Sequence, residues 1–176
     1  MSLVERPRSR ALPRLFAALL MGLAVSGCIQ PLYGPLGAGG DVAGELQAIA
    51  VEPIPNRLGH YLGDDLIFGF NGTGSQVPPK YRLIVTVTEN VQTPLLDTVS
   101  GYPSAANVVV NADYRLMPVG GTEPVTKGQA TVVASYDRTN QRFSNLRAAR
   151  DAEIRDAKTL ADQIRIRVAA AIAARG

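Results

Sequence analysis

The chain has 176 residues, with 18 Lys+Arg against 15 Asp+Glu and a formal net charge of +3. Its single cysteine and single histidine exclude an intrachain disulfide framework and leave too few ligands for a zinc site. With no Trp and 6% aromatic residues, it has few platforms on which nucleic-acid bases can stack.

At the start, Arg6, Arg8, Arg10 and Arg14 precede an uncharged apolar run from Leu15 to Val25. That run is shorter than the about 20 apolar residues a hydrocarbon core requires. A basic start, a short apolar stretch and small residues predict a secretory signal peptide over residues 1–27. The run closes with Val25-Ser26-Gly27-Cys28, which resembles the lipobox of bacterial lipoproteins: an aliphatic residue, two small residues and cysteine. Small side chains admit the signal peptidase to the backbone, and the thiol carries a diacylglycerol thioether. The resemblance implies lipidation of Cys28 and a membrane partner held through that N-terminal anchor, which two or more acyl chains make stable. By the sorting rule of such lipoproteins, Ile29 rather than aspartate after the cysteine implies the outer membrane. Removing residues 1–27 takes away those four arginines and Glu5, leaving 14 basic and 14 acidic residues. The excess positive charge therefore belongs to the signal, and no nucleic-acid partner is expected.

Residues 28–44, dominated by Gly and Pro, predict a lipidated flexible tether. The remainder, 45–176, is the length of one domain. Residues 46–51 predict a short strand stopped by Pro53 and Pro55. Asn56 is a candidate N-cap for a helix bearing Leu58, Leu62, Leu66 and Phe70 on one stripe, weakened by Gly59, Gly63 and Gly69. Three alternating strands follow. In the first, Leu83, Val85, Val87 and Val91 oppose Arg82, Ile84, Thr86 and Thr88. In the second, Val108, Val110, Ala112, Tyr114 and Leu116 oppose Asn111, Asp113 and Arg115. In the third, Ala130, Val132, Ala134 and Tyr136 oppose Lys127, Gln129 and Thr131. Residues 92–106 predict a long loop with an apolar tip, Pro94-Leu95-Leu96, which either reaches a partner or folds back on the core. Phe143 to Arg175 predicts one long helix whose stripe runs through Phe143, Leu146, Ile154, Ala157, Ala161, Ile164, Val168 and Ile172. Its Arg, Asp and Glu residues predict a solvated face with i, i+4 pairs. The expected fold is α+β: a four-stranded, mostly antiparallel sheet with two helices on one face, in the order β-α-β-β-β-α. The other sheet face is left polar, open to solvent or a partner.

No constellation for catalysis is visible. His60 lies on a weak helix and predicts a surface residue. Asp64 and Asp65, adjacent on a helix, point about 100° apart and make a poor acid–base pair. No glycine motif for phosphate joins a strand to a helix. The expectation is a non-enzyme without cofactor or metal.

Cys28-Ile-Gln-Pro-Leu-Tyr-Gly34, followed by Ile49-Ala-Val-Glu-Pro-Ile-Pro-Asn-Arg57, Lys80-Tyr-Arg-Leu, Ala112-Asp-Tyr-Arg-Leu116 and the Ala-rich C-terminal helix, resembles the LPS-assembly lipoproteins of the LptE family. The likeness spans most of residues 28–173. It implies an outer-membrane lipoprotein, facing the periplasm, that plugs and helps assemble an LptD-type β-barrel and assists lipopolysaccharide insertion. It also implies binding of lipopolysaccharide itself. Cations on the open sheet face suit its anionic groups, and strand parity nominates Arg82, Arg115 and Lys127. The same parity describes ordinary surface charge. An auxiliary lipoprotein of an ABC- or MCE-type envelope lipid transporter is the alternative, and an envelope hydrolase a remoter one.

Overall fold

The computed structural model describes residues 41–72, 77–96 and 103–175. The signal, Cys28, the tether through residue 40 and the centre of the long loop lie outside them.

The chain order is α1 (Val42–Gln47), β1 (Ile49–Val51), α2 (Asn56–Asn71), β2 (Tyr81–Leu96), β3 (Pro103–Pro118), β4 (Thr126–Asp137) and α3 (Arg142–Ala173). The strands form one sheet in the order β1-β2-β3-β4. β1 runs parallel to β2, joined through α2, and the other pairs are antiparallel. This is the expected α+β sheet, mostly antiparallel, with one further short helix before β1. α1 occupies part of the stretch read as tether and strand. Its first turn is held by Asp41, whose carboxylate accepts from the Gly44 N–H at 3.0 Å, and Val42 and Leu46 are buried in the core.

The inner sheet face follows the predicted alternation. Leu83 and Val85, alternate residues from Val108 to Leu116, and Ala130, Val132 and Ala134 are all buried. Tyr136 is only partly buried, and Val91 is 51% exposed. Leu58, Leu62, Leu66 and Phe70 of α2 meet the same core as Leu160, Ile164, Val168 and Ile172 of α3. Burying each such side chain contributes about 1.5–3 kcal/mol, which outweighs the about 1 kcal/mol that a helical glycine costs.

Three expectations need correcting. β2 runs to Leu96 and β3 starts at Pro103, so residues read as loop are strand. The β2–β3 ladder is regular as far as Gln92 and shifts register between Gln92 and Leu96. Second, α3 outruns the core. Phe143, Leu146 and Ile154 are 71%, 61% and 42% exposed, while Glu153 and Asp156, read as solvated, are buried. A 32-residue helix is about 48 Å long, and its first turns project past the packed centre of the sheet. Third, Asn56 makes no side-chain cap. The N-cap position is Pro55, and Asn56 itself has φ 75°, a left-handed conformation that asparagine tolerates.

Gly59 is more than a weak helical residue. A Cβ there would sit 2.6 Å from Ile54 Cγ2 and 2.9 Å from the Ile54 carbonyl oxygen. At Gly63 the nearest contact would be Ile54 Cδ1 at 4.0 Å. Urea unfolding should therefore separate the two: Gly59→Ala destabilises by about 1–3 kcal/mol through overpacking, and Gly63→Ala stabilises by up to about 1 kcal/mol.

Candidate functional site

The uncovered sheet face is built by strand alternation, and register aligns its side chains in rows. Thr88, Asn111 and Thr131 form one row, and Gln92, Asn107 and Ser135 another. The Thr131 hydroxyl donates to Asn111 Oδ1 at 2.7 Å, and the Ser135 hydroxyl donates to Asn107 Oδ1 at 2.8 Å. Cross-strand bonds of this kind stiffen a polar surface without closing it.

At the β4 start the face becomes cationic. Arg115 and Lys127 are directly opposite each other across β3 and β4, and Ile84 completes their row on β2. Like charges so placed destabilise a sheet, by up to about 1 kcal/mol, and Asp113, two residues along β3 on the same face, offsets only part of that. An anion lying between them removes that repulsion. A shallow hollow of about 460 Å³ opens there, lined by Thr86, Asp113, Tyr114, Arg115, Lys127 and Gly128. Gly128 is required beside it. A Cβ at that position would fall 2.6 Å from the Tyr114 hydroxyl, whose ring lies over the glycine. Two of the three predicted cations thus share a site. Arg82 does not, since its guanidinium is engaged by Glu52 at 3.3 Å.

A second basic surface went unread in the sequence. Arg142, Arg147 and Arg150 are exposed on the first turns of α3 beside exposed Phe143 and Leu146. The Arg147 guanidinium lies 5.9 Å from the Phe143 ring centroid. The Arg138 N–H bonds to the Ser104 carbonyl at 2.9 Å, which fixes this end beside the start of β3. The Arg115–Lys127 hollow is at the other end of the same strand. The cue was present: Arg142 and Arg147 flank Phe143 and Leu146 directly.

Between α2, α3 and the inner sheet face lies an acidic layer. Arg57 donates through Nε to Glu153 Oε2 at 2.8 Å and through Nη2 to Oε1 at 2.5 Å. Such a bidentate pair suits a buried carboxylate. Glu89, exposed at the margin of this layer, is held above the usual carboxylate range by partial desolvation, and the Glu153 charge adds to it. Asp156 is 3% exposed, and its Oδ2 has no partner among the described residues. Burial raises its pKa to about 6, against the pull of a backbone hydrogen bond at Ala134 and the Arg155 charge. Among the described residues no three His, Cys, Asp or Glu side chains are arranged to hold a metal ion. His60 is at the surface, 3.4 Å from Asp64.

No protein-family model matches the chain, and no curated protein matches it by sequence. Solved structures do share its fold. A candidate lipoprotein from Caulobacter crescentus CB15 is 23% identical with a TM-score of 0.64, over 75% of this chain and 96% of that one. A minor lipoprotein from Acinetobacter baumannii is 16% identical with a TM-score of 0.50, over 69% and 90%. The rare lipoprotein B of Shewanella oneidensis is a looser likeness, 14% identical with a TM-score of 0.40, over 70% and 87%. The first two carry the fold assignment.

Asp156 binds its proton more tightly in the folded chain than the ordinary value of 3.8. Its contribution to stability is therefore full at low pH and is lost as pH rises through about 6. Asp156→Asn should stabilise the chain by about 1–3 kcal/mol near neutral pH and flatten the stability profile between about pH 4 and 7, measured by urea unfolding across that range.

Proposed function

We propose that the chain is a lipid-anchored outer-membrane lipoprotein that plugs and helps assemble an LptD-type β-barrel and assists lipopolysaccharide insertion. The observation that carries this reading is the one-sided sheet: helices cover the inner face, and the outer face is a rigid polar surface with a cationic hollow. A barrel lumen is polar, so a plug needs a compact body whose exterior meets polar walls. The motif order from Cys28 onward and the fold shared with two lipoprotein structures support the same reading. The work is binding and scaffolding without catalysis or cofactor. Arg115 and Lys127 pair with an anionic group of lipopolysaccharide, and the repulsion between them is relieved when they do.

Affinity purification of the tagged chain from detergent-solubilised outer membrane tests the proposal. A stoichiometric large β-barrel protein is expected. Arg115→Glu with Lys127→Glu should weaken lipopolysaccharide binding by about tenfold or more, because each charge-assisted hydrogen bond contributes about 1.5–3 kcal/mol. Recovery of an inner-membrane permease without a barrel would replace this reading with that of a transporter auxiliary.

A further inference from the structure

The two edges of the sheet are finished differently. On β4, arginines of α3 occupy the edge carbonyls: Arg155 Nη2 donates to the Ser135 carbonyl at 3.1 Å, and Arg167 Nη1 donates to the Gln129 carbonyl at 2.5 Å. A covered edge does not template another strand. On the β2 side the cover is three residues long. The Tyr81 N–H bonds to the Ala48 carbonyl at 3.2 Å, and the Glu52 N–H bonds to the Leu83 carbonyl at 2.9 Å. Pro53 follows, and β1 ends.

Those bonds fix which backbone groups face outward. Tyr81 and Leu83 direct theirs towards β1, so by the two-residue period of a strand Val87, Glu89 and Val91 direct theirs towards the same side. The regular β2–β3 ladder carries this parity through Gln92. Among the described residues none of these three makes a backbone hydrogen bond on that side. Between Ile84 and Gln92 there is no lysine, no proline and no register shift; the one guard is the inward-pointing charge of Glu89, which a cation on an incoming strand would neutralise.

The charge beside this edge says what fits it. Glu89 lies on the inner side, within electrostatic reach of Glu153 and Arg57, and Asp156 feels its charge. Arg57 already satisfies Glu153 with both of its bonds. Among the described residues Glu89 has no ion-pair partner of its own, and it stands next to the open strand edge.

We propose that the β2 edge from Val87 to Val91 accepts an extended segment of a partner protein as a fifth strand, with a lysine or arginine of that segment set opposite Glu89. Main-chain bonds to Val87, Glu89 and Val91 give affinity, and the cation facing Glu89 gives selectivity. The proposal stands apart from the barrel reading, since any protein with such a segment satisfies it.

The probes are two nine-residue blocked peptides of alternating Thr and Val, one with Lys at the centre and one with Glu. Binding to the full chain is followed by fluorescence anisotropy. The Lys peptide should bind about tenfold or more tightly than the Glu peptide, the size of one charge-assisted contact. Val87→Pro removes one outward N–H and leaves the β2–β3 ladder intact, while Val87→Ala removes the same core contact and keeps that N–H, so the first should abolish binding and the second retain it, with circular dichroism showing both folded. Glu89→Gln should keep binding and erase the preference for Lys. No binding of either peptide, or binding unaffected by Val87→Pro, would overturn the proposal. So would dimerisation of the chain that Val87→Pro abolishes, which would make a second copy the occupant.

Discussion

The structure depends on the burial of one sheet face beneath two helices. Three antiparallel strands alone present an apolar side that water disfavours, and α2 with its three glycines is a poor helix in isolation. Joined, they are mutually stabilising. Leu62, Leu66, Leu160, Ile164 and Val168 are almost wholly buried against Leu83, Val108, Val110 and Leu116. Because strand side chains alternate, this one requirement also sets the opposite face. Every residue driven inward sends its neighbours outward, and Asn111, Asp113, Arg115, Lys127 and Thr131 are thereby gathered on a surface that nothing in the described chain covers.

The core does not run the full length of the sheet, and charge takes over where it stops. Beyond Leu160 towards its N-terminus, α3 presents Asp156 and Glu153 inward instead of leucine. Glu153 is held by Arg57 of α2, so the two helices are joined by an ion pair at the point where their apolar contacts end. Removing one partner of such a pair leaves an uncompensated charge, which fixes the relation of the two helices more than it adds to stability. Past this layer α3 leaves the core entirely, and its arginines and Phe143 belong to the surface.

Much of this was legible in the sequence because strands and helices announce themselves by period. The alternation in residues 81–91, 107–117 and 125–136 located all three long strands and their buried faces, and the i, i+4 leucines of α2 located its stripe. Three features escaped. The short helix Val42–Gln47 sits in a Gly-rich stretch where only the Asp41 cap and two buried apolar residues favour it. β2 and β3 extend each other beyond the alternating region through backbone pairing, which leaves little mark on side-chain type. The stripe of α3 gave the phase of the helix correctly and its buried length wrongly, since Phe143 and Leu146 continue the pattern after the sheet has ceased to cover it. For the site, parity grouped Arg82 with Arg115 and Lys127, but only the register shows that Glu52 takes Arg82 and that the other two stand side by side.

These features describe a body whose sheet is covered by helices on one face and polar on the other. The barrel-plugging role proposed above requires such a body, and under that proposal the open face is occupied in the assembled envelope. The most direct measurement is the labelling rate of Thr131→Cys by a water-soluble maleimide, in the isolated chain and in intact outer membranes. The account predicts rapid labelling of the isolated chain and labelling about tenfold slower or more in the membrane, because a packed interface excludes water and solutes from its centre. Equal rates in the two states would mean that the polar face meets solvent in the cell, and would contradict it.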